Sequence, residues 1–171
     1  MGMDVYGKNP SSAAGEYFRN NVWAWHPLAA YIESNHPELA AGCENWHSNS
    51  GYGLGPIHSV ELAAALKADI ASGKAAEHQA RHDAARAAMP RLKCELCHGT
   101  GVRRDAVGVQ MRQPDKVIDE PGHPRHGQTG WCNGCGGHGT REDFNASYWF
   151  SVENLAGFAD FLEACGGFEI N

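Results

Sequence analysis

Apolar positions in the first third of the chain recur at helical intervals. Leu28, Tyr31 and Ile32 share one face of a helix that Pro27 opens, since its fixed φ suits a first turn, and that runs to about Ser34. Pro37 opens a second helix, to about Trp46. His47–Pro56 reads as a loop, rich in Ser and Asn and then in Gly. Ser59 is the expected N-cap of a third helix, in which Leu62, Leu66 and Ile70 recur every fourth residue before Gly73 closes it. Residues 74–89, alanine-rich with interleaved charges, predict a largely solvated helix that Pro90 stops. Ser151 caps a last helix whose stripe is Val152, Leu155, Phe158, Ala159 and Leu162, ended by Gly166 and Gly167. That stripe needs an apolar partner, and the N-terminal helices offer the largest one.

Elsewhere the pattern is not helical. Residues 1–15, rich in Gly, Ser and Asn, read as an extended arm. Glu16–Trp25 is dense in aromatics and predicts the start of a short helix, with Tyr17, Phe18, Trp23 and Trp25 as core or, alternatively, as a ligand-stacking cluster. Alternation at Val107, Val109 and Met111 predicts a strand with Val117 and Ile118 as its partner, and Pro114, Pro121, Pro124, Gly122 and Gly127 make the remainder a long, mobile tip. Tyr148–Phe150 predicts a short strand.

The chemistry-bearing pattern interrupts this one. Cys94-Glu95-Leu96-Cys97-His98-Gly99-Thr100-Gly101 and Cys132-Asn133-Gly134-Cys135-Gly136-Gly137-His138-Gly139 both read C-x-x-C-x-G-x-G. Two such turns supply four thiolates, the closed tetrahedral set of a structural zinc. The glycines let the chain fold back after the second cysteine at positive φ, so that amide N–H groups turn toward the sulfurs. Cys94, Cys97, Cys132 and Cys135 are therefore the predicted ligands of one structural Zn2+ per chain. An iron–sulfur centre and a redox dithiol are the alternatives. His98 and His138, just after each knuckle, are not needed as ligands. The fold class expected is mainly α with a small β zinc lobe. Residues 1–90 and 142–171 make a helical body from both chain ends, and residues 91–141 an inserted zinc ribbon or β-hairpin.

The two knuckles resemble the cysteine-rich zinc-binding region of DnaJ-type (Hsp40) co-chaperones, over residues 91–141 only. That family carries four repeats and two zinc sites, whereas two repeats here suffice for one. The resemblance implies metal ligation at Cys94, Cys97, Cys132 and Cys135, and it does not extend to chaperone activity. His36-Pro37-Glu38 is the nearest approach to the J-domain His-Pro-Asp, without the flanking basic helices. Glu16–Trp25 together with Cys43–Asn49 is similar to segments of uncharacterised bacterial and phage proteins, which implies no activity.

Composition narrows the rest. At 171 residues the chain can bury a sizeable core. It has no apolar run of about 18 residues, the length a membrane span needs, and Met1–Pro10 lacks the apolar core of a signal peptide. A cytoplasmic location is expected, where paired cysteines stay reduced. Cys43 and Cys165 read as small buried hydrophobes. The chain carries −6 overall. Residues 91–141 hold eight Lys or Arg against five Asp or Glu, +3, which leaves −9 elsewhere. Neither part is a dedicated phosphate-tracking surface.

Three functions follow. The leading one is a zinc-stabilised, non-catalytic interaction protein with a protein partner. The second is an enzyme using His47, His58 and Glu61 around the Gly-rich loop. The third is nucleic-acid binding through Arg103, Arg104, Arg112 and Lys116 along one ribbon face. His78 and His82 share a helix face and could hold a metal, but with a Glu77–Arg81 ion pair beside them they read as solvated. Gly51–Gly55 lacks the Lys-Ser/Thr of a phosphate loop.

Overall fold

A computed structural model describes residues 2–171 of the chain. These divide into two compact units, residues 2–87 with 147–171 (the body) and residues 88–146 (the lobe). The chain is mainly helical with two small antiparallel sheets.

In the body, the expected N-terminal arm is a strand, β1 (Gly2–Gly7), at the centre of a sheet ordered β2-β1-β5. Strand β2 is Tyr17–Asn21 and β5 is Phe168–Ile170. The period of two is present in the sequence: Met3 and Val5 are buried, and Tyr6 between the strand's ends is exposed. Val5 lies opposite Phe18 on one side and Ile170 on the other. Gly15 meets the end of the last helix so closely that a Cβ there would lie 2.2 Å from the Ala164 carbonyl oxygen.

The helix expected near Glu16 starts later. After β2, α1 (Val22–Asn35) begins where the Asn21 side chain accepts the Ala24 N–H at 3.0 Å. Pro27 lies inside α1 rather than at its start. Proline has no N–H to offer the Trp23 carbonyl one turn back, and that carbonyl accepts the Trp149 N–H instead, at 3.1 Å. Tyr148–Phe150, expected as a strand, is accordingly irregular. Helix α2 (Pro37–Ala40) stops well short of Trp46. Helix α3 (Pro56–Ala71) starts earlier than expected, with Pro56 in its first turn; Ser59 is not its cap but a buried helical residue whose hydroxyl bonds the Gly55 carbonyl at 2.9 Å. Helix α4 is Lys74–Ala87, and among the described residues no Glu77–Arg81 ion pair forms. Ser151 caps α6 (Val152–Ala164), accepting the Asn154 N–H at 3.0 Å.

These elements enclose one aromatic-rich core built on Trp25, Trp46, Phe158, Phe161, Phe168 and Leu62. Each such side chain gains about 1.5–3 kcal/mol from burial. Both indole N–H groups are satisfied, Trp25 by the Trp46 carbonyl at 2.6 Å and Trp46 by the Ala40 carbonyl at 3.1 Å. Of the aromatic run, Trp25 is core, Phe18 packs on it, Tyr17 is exposed, and Trp23 pairs with Tyr148. The buried carboxylate of Asp69 accepts from the Tyr31 hydroxyl, the His36 ring and the Lys74 ammonium at 2.7, 2.8 and 3.1 Å. Cys43 and Cys165 are buried free thiols.

The lobe is assembled differently. Strands β3 (Leu92–Lys93) and β4 (Thr140–Arg141) pair at its two ends. The strand expected over Val107–Met111 is a short helix, α5 (Ala106–Gln110), because the Asp105 carboxylate accepts the Gly108 N–H at 2.7 Å and starts a turn. Val107, Val109 and Met111 are all exposed, so their alternation marks no buried face. Val117 does pair, but in a single bridge to Thr129. Besides the four knuckle cysteines, Val102 and Ile118 are the lobe's buried apolar side chains among the described residues.

Candidate metal centre

The knuckles are two copies of one backbone device. In the first, the Gly99 and Thr100 N–H groups return to the Cys94 and Cys97 carbonyls, and the Gly101 N–H points at the Cys97 sulfur at 3.3 Å. In the second, Gly137 and His138 return to Cys132 and Cys135, and the Gly139 N–H points at the Cys135 sulfur at 3.2 Å. Gly101 and Gly139 take φ of +74° and +79°, which an L side chain resists. A Cβ on either would also lie 2.3 to 2.4 Å from a carbonyl oxygen of the opposite knuckle. The slot after the second cysteine is left-handed too, filled by Gly136 in one knuckle and by His98 in the other.

The four cysteines are buried, and their sulfurs all lie within 4.8 Å of one another. Cys94 and Cys132 are 3.8 Å apart and Cys97 and Cys135 3.7 Å. A Zn–S bond of about 2.3 Å in a tetrahedron separates the sulfurs by about 3.8 Å. Burial pushes the Cys132 thiol up to about 12 and raises Cys135 as well. At Cys97 burial acts in the same sense, but the Gly101 N–H and the adjacent sulfurs outweigh it and bring the thiol down to about 7. Four sulfurs this close become thiolates together only around a cation. The donor set therefore suits a soft or borderline metal ion.

Two residues that the sequence pattern did not flag brace the second knuckle. The His123 ring, buried, accepts the Arg125 N–H on Nδ1 at 3.0 Å, so its Nε2 carries the proton and donates to the Gly136 carbonyl at 2.8 Å. Arg125 donates to the Gly137 and Thr129 carbonyls, each at 3.3 Å. The tip expected to be mobile is thus tied to the knuckle. Its Pro- and Gly-rich composition hid this, because nothing in spacing marks a histidine that bonds a distant carbonyl.

The other candidate residues are scattered. His58 and Glu61 are exposed on α3. His47 bonds instead to Glu33, its Nε2 at 3.0 Å from the carboxylate, and to His26, Nδ1 to Nδ1 at 2.6 Å. Among the described residues, the cysteine quartet is the one group of three or more such side chains able to converge on an ion. Of the basic residues, Arg103 is bound to Asp105 and to Asn133, and Lys116 sits over the Trp131 ring at 4.3 Å; Arg104 and Arg112 are exposed. His78 and His82 are half-buried and line a groove of about 500 Å³ with Pro27, Tyr31, Ser34 and Arg81. No helix of the described residues is long and apolar enough to cross a membrane. Comparison with family models, with curated proteins and with solved structures gives no match.

Proposed function

We propose that this chain is a zinc-stabilised interaction protein, with one structural Zn2+ held by Cys94, Cys97, Cys132 and Cys135 and a protein as its partner. The observation that carries this reading is the composition of the lobe interior. Four sulfurs at tetrahedral spacing occupy the place of a hydrophobic core, and two aliphatic side chains could not replace them. All four positions are filled by cysteine and enclosed, so such an ion has no open site for substrate, as in structural rather than catalytic zinc centres. A cluster of several irons would hold the sulfurs farther apart. The partner is argued from the surface: Leu92, Leu96, Val107, Val109, Met111 and Val117 are exposed within the lobe, apolar area that a protein partner would remove from water. Internal use of Arg103 and Lys116 makes nucleic acid the weaker alternative.

The test is elemental analysis of the purified chain together with Cys132→Ser. We expect about one zinc per chain, and in the variant loss of both metal and lobe structure while the helical signal of the body persists. Iron in place of zinc, or a metal-free chain with an ordered lobe, overturns the reading.

A further inference from the structure

The contact between His26 and His47 needs a proton or a metal ion between two nitrogens. Glu33 can only accept a hydrogen bond when ionised, so His47 Nε2, 3.0 Å away, carries the ring proton and Nδ1 bears a lone pair. That lone pair faces His26 Nδ1 at 2.6 Å. Two lone pairs at this distance repel, so what joins them is either a proton on His26 or a metal ion.

We infer that His26 and His47 form a second metal site, for a borderline divalent transition-metal ion, with Glu33 orienting it from behind. The arrangement carboxylate–imidazole–metal is how proteins fix the tautomer and raise the basicity of a ligating histidine. Glu33 and His26 stand two turns apart on α1, and His47 arrives from the loop after α2, so the site is held by the body's own scaffold. The rings are tilted by 32° with centres 4.8 Å apart. Metal–nitrogen bonds of about 2.0–2.1 Å at a tetrahedral angle place two imidazole centres about 5 Å apart and their nitrogens about 3.3 Å apart. A small outward rotation of the exposed His47 ring supplies the difference. Imidazoles suit Zn2+, Cu2+ and Ni2+, and the acidic body, −7 by composition, favours any of them. With two protein donors, the ion keeps positions open to water or to an exogenous carboxylate or imidazole. A second imidazole pair, His78 and His82 on α4, is less suited, its ring centres being 6.1 Å apart.

The experiment is calorimetric titration of Ni2+ into the full chain, zinc-loaded at the cysteines and without a histidine tag. We expect one Ni2+ per chain, binding lost in His26→Gln and in His47→Gln, and affinity reduced roughly 10–100-fold in Glu33→Gln. His78→Gln with His82→Gln should bind as the parent does. Absence of Ni2+ binding in the parent overturns the inference. So does binding that survives both single variants, or that disappears in the α4 double variant.

Discussion

The body and the lobe reach order by opposite means. In the body, five aromatic side chains from α1, α6, β5 and the loop after α2 pack together, and its polar groups, such as the Asp69 carboxylate, are placed where partners meet them. In the lobe, the backbone makes the contacts: knuckle amides return to knuckle carbonyls and sulfurs, and a loop histidine and arginine reach two more carbonyls. The body is specified by volume and the lobe by hydrogen-bond direction and four sulfurs. The two units should therefore respond to different perturbations.

The largest expected separation is the loss of lobe order in Cys132→Ser, since the proposed structural zinc would contribute on the order of 10 kcal/mol to so small a fold. The converse break is Phe158→Ala at the centre of the body. It should cost about 3–5 kcal/mol of thermal or denaturant stability in the body and leave zinc content and lobe signals unchanged. A coupled loss of zinc would show that the units do not melt separately. A smaller effect sharpens the account of the lobe. Leu replacing His123 leaves the Gly136 carbonyl and the Arg125 N–H without their buried partner, costing about 1–3 kcal/mol. Zinc transfer to a competing chelator should accelerate in His123→Leu and remain slow in His126→Leu, whose ring is exposed.

The smallest effect is that of pH on the body. Burial lowers the pKa of His26, His78 and His82 from the usual 6.5, with like charges adding for His26 and His78. The unfolded chain takes up these protons first as pH falls, so body stability is full above about 6.5 and declines as pH drops below it. Asp69 adds a second, more acidic decline: burial raises its pKa, but bonds from Tyr31, His36 and Lys74 outweigh this and leave it below 3.8. Its contribution is thus present above that value and lost as pH falls further. Denaturant titrations of the body at pH 7, 6 and 5 should show midpoints falling stepwise. Midpoints that are level or rise toward pH 5 would contradict the assigned histidine environments.

Legibility followed the same division. Helices α3 and α6 were visible because volume-driven packing leaves a period of 3.6 in Leu62, Leu66, Leu155, Phe158 and Leu162, and α4 because its alanine-rich run is stopped by Pro90. The cysteine quartet was visible because ligand spacing is local. What escaped was organised by bonds between distant backbones. Met3 and Val5 alternate, yet Gly2, Gly7 and the Ser and Asn that follow disguised β1, whose role depends on Phe18 and Ile170. Val107, Val109 and Met111 alternate without burying a face, and one Asp105 side chain decided for helix. His47 was singled out, but its partners, His26 and Glu33, lie far back along α1, and nothing near His47 names them.

The pairing of β3 with β4 has a kinetic consequence. Leu92 lies opposite Arg141, so once the lobe is ordered its entrance and exit are side by side. For α4 and α6 to meet, the chain must otherwise close a disordered loop from Ala87 to Ser147. With the lobe formed, that loop shrinks to a few residues on each side, which lowers the closure cost by about 1–2 kcal/mol. A metal ion that stabilises only the lobe would in this way hasten the folding of the body.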